Sequence, residues 1–258
     1  NPLSGICRNM RFLLLSLIMP VMLCSCARAP LRPATTPYAT GPAYPGSLGP
    51  AIRQDAYHVV GPSETLWRIS KMYDVKIEDI MAANSLSSKE RLERGQRLKI
   101  PNAAGLRPVI ALYPSTKWKY IIIHHSATDS GNANSLYDLH NKRGFDGLGY
   151  DFIIDNGTGG KQDGQIEVSG RWIKQIDGAH CLAAGMNHQG IGICLVGNFS
   201  RERLSSRQLD SLAYLVDLLR KYYKIPRRNI LGHGQVPGAA TECPGLKFPW
   251  DEFWAKLG

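Results

Sequence analysis

The sequence predicts a mixed α/β domain, with a central mixed sheet flanked by helices, and a small strand–helix–helix–strand (βααβ) domain before it. Apolar, β-branched runs such as residues 119–125 and 190–197 are typical of buried strands. Between such runs lie helical patterns, of which residues 205–223 form the longest. Residues 57–101 carry strand and helix signals of their own. This alternation predicts the α/β class for residues 117–258.

The amino terminus has the pattern of a secretory signal. Arg8 and Arg11 flank the start of a short apolar run at 12–23, and small residues follow it. The run is shorter than the roughly 20 apolar residues of a membrane span. It ends in Leu23-Cys24-Ser25-Cys26, which resembles the lipobox of bacterial lipoproteins. The resemblance implies a signal peptide over 1–25 and a lipid on Cys26; ordinary signal cleavage beside a free cysteine is the alternative.

An acylated Cys26 implies an exported protein, lipid-anchored to the membrane that faces the cell wall. In a Gram-negative host, Ala27 favours the periplasmic side of the outer membrane. Residues 26–56 are rich in proline and poor in aliphatic side chains, so we expect a semi-extended tether. Residues 102–116 contain two prolines and are expected to form a linker.

The composition is that of a globular protein with excess positive charge. Hydrophobic residues make up 43% and charged residues 20%, and the net charge is +10. A basic protein suits polyanions. Because no dense basic run, helix-turn-helix or ribonucleoprotein motif is present, we expect no nucleic-acid partner. Charge spread over solvated faces is the alternative. We expect a monomer.

Residues 57–101 are predicted to fold as strand, helix, helix and strand. The motifs are Glu64-Thr65-Leu66-Trp67-Arg68-Ile69, Ala83-Asn84 and Gly95-Gln96-Arg97-Leu98-Lys99-Ile100-Pro101. On these residues the unit resembles the LysM domain. That resemblance implies binding to N-acetylglucosamine polymers such as peptidoglycan or chitin, in a groove between loops near 61–65 and 84–87. Trp67 and Ile69 are interpreted as core residues.

Three residues suggest a metal site. His124 ends a strand, while His233 and Cys243 lie ten positions apart much later in the chain. Two imidazoles and a thiolate leave one coordination position of a zinc ion open, as in catalytic sites. A zinc-bound water is a hydrolytic nucleophile near neutral pH. Taken alone, the trio is weak evidence, because the chain has seven histidines.

The neighbouring residues add specificity. The matching segments are 121–128, 140–154, 187–199 and 232–245. They resemble the zinc-dependent N-acetylmuramoyl-L-alanine amidases of the phage-lysozyme and peptidoglycan-recognition-protein (type 2 amidase) family. The resemblance implies zinc as the cofactor, with His124, His233 and Cys243 as its ligands. The side chain of His125 leaves the opposite face of the strand and is not expected to bind the metal.

The same resemblance implies further site residues. Tyr150 takes the position of the catalytic tyrosine. Thr241 stands where phage enzymes have lysine and active recognition-protein amidases have threonine. His180 matches a position that lines the cleft and is expected to contact substrate, with a structural role as the alternative. Asp151 departs from the family, since many relatives have histidine there. The loop before Cys243 is about two residues longer than usual, which a fold tolerates.

The resemblance implies hydrolysis of the amide bond between N-acetylmuramic acid and L-alanine in peptidoglycan, with the LysM domain holding the enzyme on the polymer. A non-catalytic peptidoglycan-binding protein is the alternative. An enzyme that recycles small muropeptides is a third hypothesis. Cys194 lies in an apolar run and is expected to be a buried free thiol, although a bridge between Cys181 and Cys194 stays open.

Overall fold

The computed structural model describes residues 37–44, 52–89 and 92–257. The predicted signal peptide and Cys26 lie outside them. In this part of the chain, no helix is long and apolar enough to cross a membrane. The strands are β1 (Tyr38–Thr40), β2 (Gln54–Val59), β3 (Arg97–Ala103), β4 (Val109–Ala111), β5 (Tyr120–His125), β6 (Phe152–Asn156), β7 (Asp163–Val168), β8 (Gly190–Leu195) and β9 (Ile230–Gly232). The helices are α1 (Leu66–Tyr73), α2 (Ile77–Ala83), α3 (Ala133–Lys142), α4 (Gly170–Lys174), α5 (Met186–Gln189), α6 (Ser206–Tyr223) and α7 (Trp250–Lys256).

Strands β2 and β3 and helices α1 and α2 form the βααβ unit. The two strands pair antiparallel. Helix α1 begins where the Thr65 hydroxyl accepts a hydrogen bond from the Arg68 amide at 3.3 Å, as an N-cap does. Ile69 is fully buried in the core of this unit, and Trp67 packs against the core from its edge. Both residues therefore occupy the packing positions that the sequence predicts.

The carboxy-terminal domain, residues 117–257, is built on a five-stranded sheet in the order β7-β6-β8-β5-β9. Strand β5 lies between β8 and β9 and runs parallel to both. Ile121, Ile122 and Ile123 are fully buried, as expected for a parallel strand covered on both faces. Helix α6 packs its apolar face on the sheet. The predicted α/β class, with a mixed sheet and a βααβ unit, is confirmed.

The proline-rich residues differ from the expected tether. Within 26–56, β1 pairs antiparallel with β4, which lies inside the expected linker 102–116. The side chain of Tyr44 is buried, and its hydroxyl accepts a hydrogen bond from the Ile166 amide at 2.8 Å. Tyrosine supplies the apolar area that proline counts do not reveal. Residues 38–40 are therefore paired and Tyr44 is packed, while a tether over the remainder of 26–56 stays a prediction.

Strand β7 and helix α4 are additional to the predicted elements. Strand β7 pairs antiparallel with β6 and begins at Asp163. Its side chains Gln165 and Glu167 are buried although they are polar. A hydrophobicity pattern does not predict this strand, because its buried residues are polar. Their partners come from distant parts of the chain. Helix α4 is capped by the Ser169 hydroxyl.

Candidate metal centre

The ends of two neighbouring parallel strands bring two imidazoles together. In the sheet, Ile123 of β5 is the register partner of Gly232 of β9. His124 and His233 each follow directly, and their ring centroids are 4.6 Å apart. Parallel strands end at the same edge of a sheet, so the pairing of β5 with β9 dictates this meeting.

Cys243 completes the cluster through a tightly closed loop. The Gly234 amide donates to the Cys243 carbonyl at 2.6 Å. A Cβ atom at Gly234 would lie 2.3 Å from the Thr241 carbonyl oxygen, so the closure requires glycine. The Cys243 Sγ atom lies 3.7 Å from His124 Nδ1, and it accepts a hydrogen bond from the His125 amide at 3.3 Å. One donor atom from each of His124, His233 and Cys243 falls within 4.8 Å of the other two.

His180 lies behind His124. Its Nε2 atom is 3.2 Å from the Gly190 carbonyl and must carry a proton to donate there. Its Nδ1 atom therefore accepts from His124 Nε2, which is 3.1 Å away. This assignment is made from the hydrogen-bond network. It leaves His124 Nδ1 without a proton, so that its lone pair faces Cys243. His180 thus supports His124, and contact with substrate remains a prediction.

The three donors are electrically neutral in the absence of a cation. Burial, followed by the influence of His180, His233 and His125, lowers the pKa of His124 well below its usual value. Burial also lowers the pKa of His233. For the Cys243 thiol, burial outweighs the hydrogen bond from His125 and raises the pKa to about 12. A bound cation would reverse this preference by stabilising the thiolate. Two imidazole nitrogens and one thiolate fit zinc.

Tyr150 stands beside the trio. Its ring centroid is 5.1 Å from that of His124 and 5.3 Å from that of His140. Burial, with contributions from the neighbouring Cys194 and Cys243, raises the pKa of the phenol well above its usual value. The hydroxyl therefore stays protonated and can act as a donor. The buried Cys194 thiol is among the groups that act on this phenol.

Thr241 is exposed at the rim of the trio. Its hydroxyl accepts a hydrogen bond from the Cys243 amide at 3.2 Å, which leaves the hydroxyl proton for a second partner. Asp151 lies elsewhere: it is buried, and it accepts from the Gly192 amide of β8 at 2.8 Å. Burial raises the pKa of Asp151 to about 7. Asp151, the residue that departs from the family, therefore stabilises the sheet through β8 and is not part of the His124–His233–Cys243 cluster.

Sequence reasoning missed two supports of Tyr150. Cys194 is the β8 register partner of His124, so strand pairing brings its thiol under the site. His140 accepts the Gly149 amide at 2.9 Å through Nδ1 and thereby holds the chain directly before Tyr150. The position of Cys194 could be inferred from the pairing of β5 with β8. The position of His140 follows only from the way α3 packs in the folded domain. The thiols of Cys181, Cys194 and Cys243 are free.

The mixed sheet with its flanking helices is the fold of an amidase domain. The N-acetylmuramoyl-L-alanine amidase family matches residues 114–246, and the LysM domain matches residues 58–101. The chain therefore belongs to the N-acetylmuramoyl-L-alanine amidase family, and its βααβ unit is a LysM domain. The resemblances to the LysM domain and to the amidase family are confirmed.

Relatives of two kinds are similar to this chain. The endolysin of Escherichia phage T7 is 33% identical over 145 residues, which cover 53% of this chain and 85% of the endolysin. Peptidoglycan-recognition protein 2 of Holotrichia diomphalia is 39% identical over 102 residues, covering 36% of this chain and 49%, about half, of that protein. Among solved structures, the N-acetylmuramoyl-L-alanine amidase LysC from Clostridium intestinale URNW has 32% identity, covering 56% of this chain and 90% of its own, with a TM-score of 0.45.

Proposed function

We propose that this protein is a zinc-dependent N-acetylmuramoyl-L-alanine amidase acting on peptidoglycan. The observation that carries the proposal is the convergence of His124, His233 and Cys243 within 4.8 Å, in a chain of the amidase family. Burial favours the neutral form of all three side chains, and two imidazoles with one cysteine form a donor set that suits zinc.

Zinc, when bound, supplies a Lewis acid and a water of lowered pKa. The protein's own residues would do the rest. The imidazoles of His124 and His233 and the sulfur of Cys243 would hold the ion. Tyr150, whose phenol stays protonated, donates a hydrogen bond to the oxygen of the carbonyl between the lactyl group and L-alanine as charge develops there. Thr241 offers a second hydroxyl donor from the rim.

A peptidoglycan-binding protein without activity is the second candidate, because recognition proteins are among the relatives. The presence of a third donor in Cys243 and of a protonated Tyr150 beside the trio supports the enzyme. For the βααβ unit, membership of the LysM family supports binding to glycan strands. We further propose export with a lipid on Cys26, and a monomer as the working form.

Mass spectrometry of peptidoglycan digested by the mature protein tests the proposal. We expect free stem peptides with an L-alanine amino terminus when zinc is present and none when a chelator is added. Cys243→Ala should abolish their release, while Cys181→Ala, which removes a buried thiol outside the trio, should retain it. Intact glycopeptides, with the protein co-sedimenting on the polymer, would establish the binding protein instead.

A further inference from the structure

The first loop of the βααβ unit, expected to face sugar, packs against the carboxy-terminal domain. Gly61 and Pro62 of this loop are buried. Just before them, the Val59 carbonyl accepts from Lys161 Nζ at 2.9 Å, and the Val60 carbonyl accepts from Asn134 Nδ2 at 3.1 Å. The residues that begin this loop are thus held by the neighbouring domain.

A buried network of charges crosses the same boundary. Within the βααβ unit, Glu64 bonds His58 at 2.7 Å and Arg68 at 2.6 Å. Arg68 then reaches across the boundary and donates to the Ile166 carbonyl of β7 at 3.1 Å. On the other side, Lys161 pairs with Glu167 at 2.6 Å. We call these residues, His58, Glu64, Arg68, Lys161 and Glu167, the junction network.

Part of the stabilisation of the junction network acts across the domain boundary. Burial alone would raise the pKa of Glu64, but His58, Arg68 and Lys161 together lower it far below its usual value. Lys161 belongs to the other domain, so part of this stabilisation acts across the boundary. Removing one partner of a buried ion pair leaves an uncompensated charge, which is strongly unfavourable. The ion pairs themselves each lie within one domain, so separation of the domains would instead break the hydrogen bonds of Arg68 and Lys161 across the boundary and the attraction between Glu64 and Lys161.

Helix α3 connects the junction to the metal centre. At its start, the Ala133 amide donates to Glu167 Oε1 at 2.7 Å. On its side, Arg94 of the βααβ unit pairs with Asp138 at 2.8 Å and lies over the Tyr137 ring at 4.6 Å. Near its end, His140 holds the chain before Tyr150. A helix of ten residues spans about 15 Å, so one rigid element joins both regions.

We propose that the βααβ unit is a fixed structural part of the carboxy-terminal domain, docked through its first loop and the junction network, and that it positions α3 and through it Tyr150. This inference rests on the proposed amidase function. A tethered binding module would raise the local concentration of polymer only. A docked unit also affects hydrolysis of a small soluble substrate. Arg94, Lys161 and Glu167 are positioning residues in this scheme.

Two sets of substitutions in the full chain test the docking. Arg94→Asp opposes like charges across the boundary, and the double variant R94D/D138R restores an opposite-charge pair. Lys161→Met removes the buried cation while keeping an unbranched side chain. Arg203→Asp is the matched control, since Arg203 forms an exposed ion pair with Glu252 at 3.2 Å, outside the junction.

The first measurement is amide relaxation by NMR, with the side-chain shifts of His140 and Tyr150. We expect one rotational correlation time for both domains of the original protein and of Arg203→Asp. In Lys161→Met, we expect faster tumbling of residues 57–101 and shifted His140 and Tyr150 resonances. Two correlation times in the original protein, or unshifted resonances after undocking, would overturn the inference.

The second measurement is hydrolysis of a soluble disaccharide–peptide fragment of peptidoglycan. We expect kcat to fall about tenfold in Lys161→Met and roughly two- to fivefold in Arg94→Asp, with recovery in R94D/D138R. An undocked variant with unchanged kcat would show that the unit only targets polymer. If the original protein cleaves nothing, the amidase proposal fails, and the NMR measurement still decides the docking.

Discussion

The metal centre and the junction network both bury several polar side chains, but they satisfy them in opposite ways. At the junction, carboxylates meet cations, and Glu64 lies within 2.7 Å of both His58 and Arg68. At the candidate metal centre, His124, His233 and Cys243 each bring one possible donor atom within 4.8 Å of the other two. A self-neutralising cluster is suited to hold domains together, whereas converging neutral donors are suited to bind a cation. The difference assigns binding chemistry to one region and assembly to the other.

The largest effect should come from Tyr150→Phe, which removes a hydroxyl donor at the metal centre without changing a metal donor. We expect kcat for peptidoglycan fragments to fall about 100- to 1,000-fold, as when one oxyanion donor is lost. Zinc content, measured by elemental analysis, should not change. Loss of zinc together with activity would mean that the tyrosine supports the site rather than the reaction.

Glu64→Gln should show that the junction acts through stability. We expect the free energy of unfolding near neutral pH to fall by about 3 kcal/mol, because Arg68 and Lys161 lose a buried counter-charge. Chemical denaturation measures this. Glu78→Gln, which loses an exposed ion pair with Lys89 in the same unit, should cost less than about 1 kcal/mol.

The pH dependence of Glu64→Gln has a defined sign. The native pKa of Glu64 lies below its unfolded value of about 4.3, so the unfolded state binds the proton more readily. The stabilisation is complete above that value and is lost as the pH falls through the native pKa. The difference between the variant and the original protein should therefore narrow below about pH 4. A difference independent of pH would point to packing alone.

His180→Ala tests the support of His124 against the predicted contact with substrate. Loss of the acceptor for His124 Nε2 should weaken zinc binding about 10- to 100-fold, as for other residues that orient a metal-bound histidine. Competition with a coloured chelator measures this. A raised KM for muropeptide with unchanged zinc affinity would favour the substrate contact instead.

The sequence predicts the metal centre better than the junction, for a physical reason. His124, His233 and Cys243 lie in short motifs whose local chemistry is distinctive, and helix α6 falls within the helical pattern at 205–223. The junction depends on contacts between residues about a hundred positions apart, such as the hydrogen bond from Arg68 to the Ile166 carbonyl. Each polar side chain of the junction network, taken alone, is of a type usually found at the protein surface. These side chains are buried only because they pair with one another in the folded chain. For the same reason, the polar residues of β7 do not identify it in the sequence as a buried strand.

At the candidate metal centre, a smaller effect than that of Tyr150→Phe should come from Thr241→Val, which removes a hydroxyl from the rim while keeping the shape of the side chain. In the structure this hydroxyl accepts from the Cys243 amide, so its loss combines a missing donor to substrate with a looser loop. We expect kcat to fall about tenfold, the lower range for an active-site hydrogen bond. Thr241→Ser keeps the hydroxyl and should remain near the original rate. Reduced zinc content in Thr241→Val would assign the effect to the loop, whereas full zinc content with reduced kcat would assign it to the hydroxyl as a donor to the reacting carbonyl.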